Sequence, residues 1–124
     1  MRVLIVDDEP AMRAFLETVL RNEGHETLLA VDGQDALEKS GPFDLLLTDL
    51  LMPRMSGDML AVRLFKRDPT LKVMYLTGHS ERLFKKKIRL WQGEAFLDKP
   101  VTADALLEAI DMLMAERSAG LPSR

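Results

Sequence analysis

Apolar residues along this chain alternate between two rhythms. Arg2–Val6 is an almost unbroken apolar run, the mark of a strand buried on both faces. Pro10 suits a first helical turn, and Met12, Phe15, Leu16, Val19 and Leu20 then recur at helical spacing until Gly24 can end the helix. Glu26–Ala30 predicts a second strand, stopped by the turn signal Asp32-Gly33. A short helix is expected through Ala36 and Leu37 to Gly41-Pro42. A third strand over 45–48 delivers Asp49; Pro53 and Gly57 mark a loop before a helix over 58–67, closed by Pro69. A fourth strand over 72–76 delivers Thr77-Gly78, and a fourth helix is expected from about Glu81 to Gln92. The short run 95–97 predicts a fifth strand ending at Asp98-Lys99-Pro100, and a last helix runs from about Ala103 to Glu116.

Five strands alternating with five helices imply right-handed crossovers and a parallel sheet covered on both faces. The expected class is α/β: a flavodoxin-like, doubly wound five-stranded sheet in the order 2-1-3-4-5. At 124 residues the chain fits one domain, taken as 1–117. Residues 118–124, with Gly120 and Pro122, read as a flexible tail or the start of a linker.

Composition narrows the partners. Hydrophobic residues make up 47% and charged residues 30%, enough for both a core and a solvated surface. A net charge of −3 argues against non-specific attraction to nucleic acid or an anionic membrane. The chain has no cysteine, so disulfides and thiolate metal sites are excluded. The first apolar run is too short for a signal peptide, and no apolar stretch approaches the roughly 18 residues of a membrane span. The expected location is cytoplasmic.

In a parallel sheet, strand ends of one sense open on one edge, where ligand crevices form. That rule brings Asp7, Asp8, Asp49, Thr77 and Lys99 together, although they lie far apart in sequence. A single acid after a strand is more often a helix cap or turn residue. Five chemically matched residues at the ends of strands one, three, four and five are a different matter. Three carboxylates at one edge repel, so a pKa must rise or a cation must be recruited. Hard oxygen ligands suit Mg²⁺, or Mn²⁺. Asp49 is then the candidate nucleophile for an aspartyl-phosphate, with Lys99 and the Thr77 hydroxyl covering charge on the transferred group.

Around these residues the motifs are Val6-Asp7-Asp8-Glu9-Pro10, Ala30-Val31-Asp32-Gly33, Asp44-Leu45-Leu46-Leu47-Thr48-Asp49, Met52-Pro53-Arg54-Met55-Ser56-Gly57, Thr77-Gly78 and Phe96-Leu97-Asp98-Lys99-Pro100. With them the chain resembles the receiver domains of response regulators, the CheY-like family, from Arg2 to about Glu116. The resemblance implies a two-component phosphorelay: Asp49 accepts a phosphoryl group from a histidine kinase or phosphotransfer protein. It implies Mg²⁺ held by Asp7, Asp8, Asp49 and the Leu51 backbone carbonyl, a cis Lys99-Pro100 bond, and Lys99 and Thr77 contacting the phosphoryl group. Thr77 and Phe96 would form the switch, and the fourth helix, fifth strand and last helix would signal to a downstream protein or pair with a second copy. Such a chain is a signalling phosphoacceptor, not an enzyme acting on other substrates. Gly93-Glu94-Ala95-Phe96 is one residue shorter than the family's usual lead into strand five, and Leu51 and His79 flank the site where water access is tuned.

Other features have ordinary explanations beside sharper ones. Arg82, Lys85, Lys86, Lys87 and Arg89 make the fourth predicted helix basic, which is a solvated face or a docking surface for an acidic partner. Leu106, Ala109, Ile110 and Leu113 form a core stripe on the last helix, while Leu107 and Met114 either widen it or extend an apolar patch. Phe84 reads as core, Trp91 as partly exposed, and His25 as a surface turn residue. Three alternatives remain: the N-terminal receiver of a longer transcriptional or enzymatic regulator, a haloacid-dehalogenase-like phosphatase, and a flavodoxin. Asp7-Asp8-Glu9 lacks the second Asp of the Asp-x-Asp motif that such a phosphatase needs, and its charge would repel a flavin phosphate. No helix-turn-helix element is present, so direct nucleic-acid binding is not expected.

Overall fold

The computed structural model describes residues 1–78 and 90–115. In chain order the elements are β1 (Arg2–Val6), α1 (Pro10–Asn22), β2 (Glu26–Ala30), α2 (Gly33–Leu37), β3 (Leu45–Asp49), α3 (Gly57–Arg67), β4 (Lys72–Thr77), β5 (Glu94–Asp98) and α4 (Ala103–Met114). The strands form one sheet ordered β2-β1-β3-β4-β5, parallel throughout. This is the flavodoxin-like arrangement expected from the alternation of rhythms. Most of the predicted fourth helix, with His79, Phe84 and the basic residues, lies outside the described residues, as do residues 116–124.

Period-two alternation divides the strand side chains between two cores. Leu4, Val6, Leu46, Val73 and Tyr75 face a cluster completed by Leu60, Ala61 and Leu64 of α3. Val3, Ile5, Leu45, Leu47, Met74 and Leu76 face the other side, where Leu16 and Leu20 of α1 and Leu106, Ile110 and Leu113 of α4 cover them. Both faces are dry, which is why these strands read as unbroken apolar runs. Leu107, Ala109 and Met114 pack partly against the second cluster, so α4 carries a wide core stripe, while Met112 is exposed.

Several boundaries differ from the sequence expectation. β3 and β4 each run one residue further, through Asp49 and Thr77, because ladder hydrogen bonds continue past the last apolar side chain. Leu50 N–H donates to Leu76 C=O at 3.2 Å, and Lys99 N–H to Thr77 C=O at 2.9 Å. α2 stops at Leu37, well before Gly41-Pro42, as the Glu38 and Lys39 amides turn back on Asp35 and Ala36. Residues 90–92 are not helical. Glu94 N–H donates to Trp91 C=O at 2.9 Å, closing a turn in which Gly93 has φ 84°. A non-glycine residue is strained there, which favours glycine at this position. His25 is half-buried, with its Nδ1 3.1 Å from the N-terminal ammonium, and is not a bare surface turn.

Candidate functional site

The site grows out of the sheet itself. Asp7 follows β1, and its N–H still reaches Ala30 C=O at 3.3 Å, so the side chain is carried by an extension of the ladder. Asp7 is fully buried. One carboxylate oxygen accepts from Glu9 N–H at 2.9 Å and the other from the Lys99 ammonium at 3.1 Å. Asp8 is exposed beside it. Asp49 ends β3 with its side chain 12% exposed, 3.8 Å from Lys99 Nζ. Carboxylate oxygens of Asp7, Asp8 and Asp49 all lie within 4.8 Å of one another.

Close packing fixes the backbone below Asp49. The Gly57 N–H donates to Leu50 C=O at 2.8 Å, and a Cβ at Gly57 would collide with the Asp49 carbonyl oxygen. Only glycine allows α3 to start so near the strand end. The Leu51 amide lies beside the Asp49 carboxylate and favours its charged form. Thr77 is buried at the end of β4, opposite Asp98. Phe96 lies opposite Tyr75, half-buried on the face that α3 covers. The Lys99-Pro100 peptide is cis, as is Gly41-Pro42, which the sequence reading did not anticipate.

Electrostatics follow from this crowding. Burial pushes the Asp49 carboxyl above its ordinary range, and the charges of Asp7 and Asp8 add to that; Lys99 and the Leu51 amide oppose it without reversing it. For Lys99, burial alone would favour the neutral amine. Its hydrogen bond to Asp7 and the charges of Asp49, Asp7 and Glu9 outweigh that and hold the ammonium above its ordinary range. The pocket thus contains more negative than positive charge and only hard oxygen donors around its centre. That donor set fits a small divalent cation.

Asp7, Asp8, Asp49, Thr77 and Lys99 meet at one edge of the sheet, as the sequence implied. Arg13 was missed. Its guanidinium donates to Asp7 C=O at 2.7 Å and ties the first turn of α1 to the acid pair. Its place one turn into the helix that follows those acids was the available signal.

The sequence profile of the response regulator receiver domain matches residues 3–111. The chain belongs to this family. It is 33% identical over 115 residues to the response regulator receiver protein CpdR of Brucella abortus, covering 91% of this chain and 96% of that protein. It is also 35% identical over 123 residues to the sensor histidine kinase TmoS of Ectopseudomonas mendocina, but spans only 12% of that protein's length against 96% of its own. The receiver domain of the hybrid histidine kinase CckA superposes with a TM-score of 0.77 at 32% identity, covering 92% of this chain and 99% of that one. The response regulator TrrA of Thermotoga maritima, solved in complex with Mg²⁺-BeF, gives a TM-score of 0.78 at 34% identity, covering 90% and 97%. The chain is therefore a two-component response regulator receiver, and the phosphatase and flavodoxin alternatives fall away. Among the described residues, no helix is long and apolar enough to cross a membrane.

Proposed function

We propose that Asp49 accepts a phosphoryl group from the phosphohistidine of a histidine kinase or phosphotransfer protein. An Asp49 carboxylate oxygen bonds to phosphorus, the bond from phosphorus to the donor nitrogen breaks with its electron pair staying on that nitrogen, and the donor ring, already protonated on its other nitrogen, leaves as neutral imidazole. Lys99 sits where it can neutralise one phosphoryl oxygen, and the Thr77 hydroxyl can bind another. Asp7, Asp8 and Asp49, with the Leu51 carbonyl, would hold Mg²⁺ (or Mn²⁺). When bound, that cation supplies positive charge opposite the transferred oxygens. The observation that carries this reading is the convergence of Asp49, two further acids and Lys99 in one cup, with the Lys99 ammonium 3.8 Å from Asp49.

In this reading residues 1–117 are the working receiver and residues 118–124 a tail or linker. Phosphate on Asp49 draws Thr77 and Phe96 inward and shifts a surface equilibrium read by a protein partner. The chain's chemistry is confined to its own aspartyl phosphate. Treatment with acetyl phosphate and Mg²⁺ should add one phosphoryl mass to the intact chain and none to Asp49→Asn. Labelling that survives in Asp49→Asn would place the acceptor elsewhere.

A further inference from the structure

A second buried carboxylate lies at the far end of the β4–β5 pair. Glu94 is 2% exposed, although it opens β5. One of its oxygens accepts from the Tyr75 hydroxyl at 2.8 Å and the other from the Trp91 N–H at 2.7 Å. Tyr75 is itself 2% exposed. The backbone of the same residue, Glu94, closes the turn from Trp91, and Gly93 C=O accepts from Val73 N–H at 3.0 Å. The segment from Trp91 to Glu94 is thus fastened to β4 through the Glu94 side chain and the turn beside it.

The position of this fastening gives it meaning. Tyr75 precedes Thr77 by two residues on β4, and Glu94 precedes Phe96 by two on β5, so each pair shares a sheet face. Tyr75 and Phe96 are direct cross-strand neighbours. Leu90, Tyr75 and Phe96 all pack into the cluster on the face that α3 covers. Phe96 cannot turn inward without displacing the side chains that meet there, because a close-packed face has no slack.

We infer that the Glu94 carboxylate, gripping Tyr75 and Trp91, is a clamp that sets how strongly phosphorylation at Asp49 is felt where the chain rejoins the sheet at Trp91. The inference rests on the phosphoacceptor reading. The clamp belongs to the arrangement in which Phe96 is only partly buried, so it opposes leaving that arrangement. Loosening it shifts the population toward the switched form, and linkage requires the phosphoryl site to bind its ligand more tightly in return.

Trp91 is the sole tryptophan, so its emission reports directly on the clamp. Mg²⁺ with beryllofluoride should change Trp91 emission in the intact chain. Tyr75→Phe and Glu94→Gln, both close in shape to the originals, should lose most of that change, bind Mg²⁺-beryllofluoride several-fold more tightly, and still take up one phosphoryl group from acetyl phosphate. Retention of the wild-type emission change and affinity in Tyr75→Phe would overturn the inference, as would an unresponsive Trp91 in a wild-type chain that is phosphorylated. If Glu94→Gln does not fold, judged by its circular dichroism, Tyr75→Phe alone decides. A wild-type chain that takes up no phosphoryl group would instead remove the phosphoacceptor reading, and the clamp's role with it.

Discussion

Asp7 and Glu94 are both buried carboxylates at strand ends, yet their described partners differ. Asp7 stands at the carboxyl edge of the sheet among Lys99, Asp8 and Asp49, where charge is crowded. Glu94 stands at the amino edge, with each oxygen engaged by a Tyr75 or Trp91 donor aimed at it. A carboxylate surrounded by mobile charge can trade partners when a cation or phosphoryl group arrives. One gripped by a phenol and a backbone amide holds geometry. The same functional group thus stands in a charged cup at the carboxyl edge of the sheet and in a hydrogen-bonded turn at the amino edge.

The largest effect should come from removing the cation of the charged end. Lys99→Met leaves Asp7 buried beside two other acids and should cost about 3 kcal/mol, read from urea unfolding in EDTA. Mg²⁺ should then raise the variant's stability by more than it raises the wild type's, because it replaces the missing positive charge. An equal response would mean that the ammonium does not offset the acids. Gly57→Ala tests the packing beneath the same end. Its methyl group would press on the Asp49 carbonyl, so a loss of about 2 kcal/mol is expected, together with weaker Mg²⁺ binding.

The smallest effect should have the opposite sign. Asp49 titrates above its ordinary value of 3.8 in the folded chain, so ionising it opposes folding. The penalty is absent below the unfolded pKa, appears as pH rises through the folded pKa, and is complete above it. Asp49→Asn should therefore melt higher than wild type at neutral pH without metal, and the advantage should vanish in strong acid. A melting temperature at or below wild type at neutral pH would show that Asp49 is not held against repulsion. Stability given up at a reactive group is the usual cost of function.

The charged end was far more legible in the sequence than the clamp. Asp7, Asp8, Asp49 and Lys99 fall within two residues of the ends of apolar runs, so sheet topology alone predicts their meeting. The strands were equally plain because both faces are dry, and errors fell at the ends of β3, β4 and β5, where ladder bonds outrun apolar side chains. Glu94 gave no such signal. Its described partners are a Tyr75 hydroxyl one strand away and the Trp91 N–H that a turn brings back to it. Leu90 and Trp91 looked like the end of a helix because they are apolar. Gly93, with its positive φ, was the local sign of a turn there instead.

The extension of β3 and β4 through Asp49 and Thr77 has a mechanical consequence. Asp49 and Thr77, two of the groups proposed to meet an incoming phosphoryl, are rungs of the sheet, not parts of a loop laid over it. Amide exchange at the neighbouring Leu50 and Lys99 then requires the sheet to open, so the receiving surface acts as an anvil. What yields under the blow must be side chains and the connections beyond the strand ends.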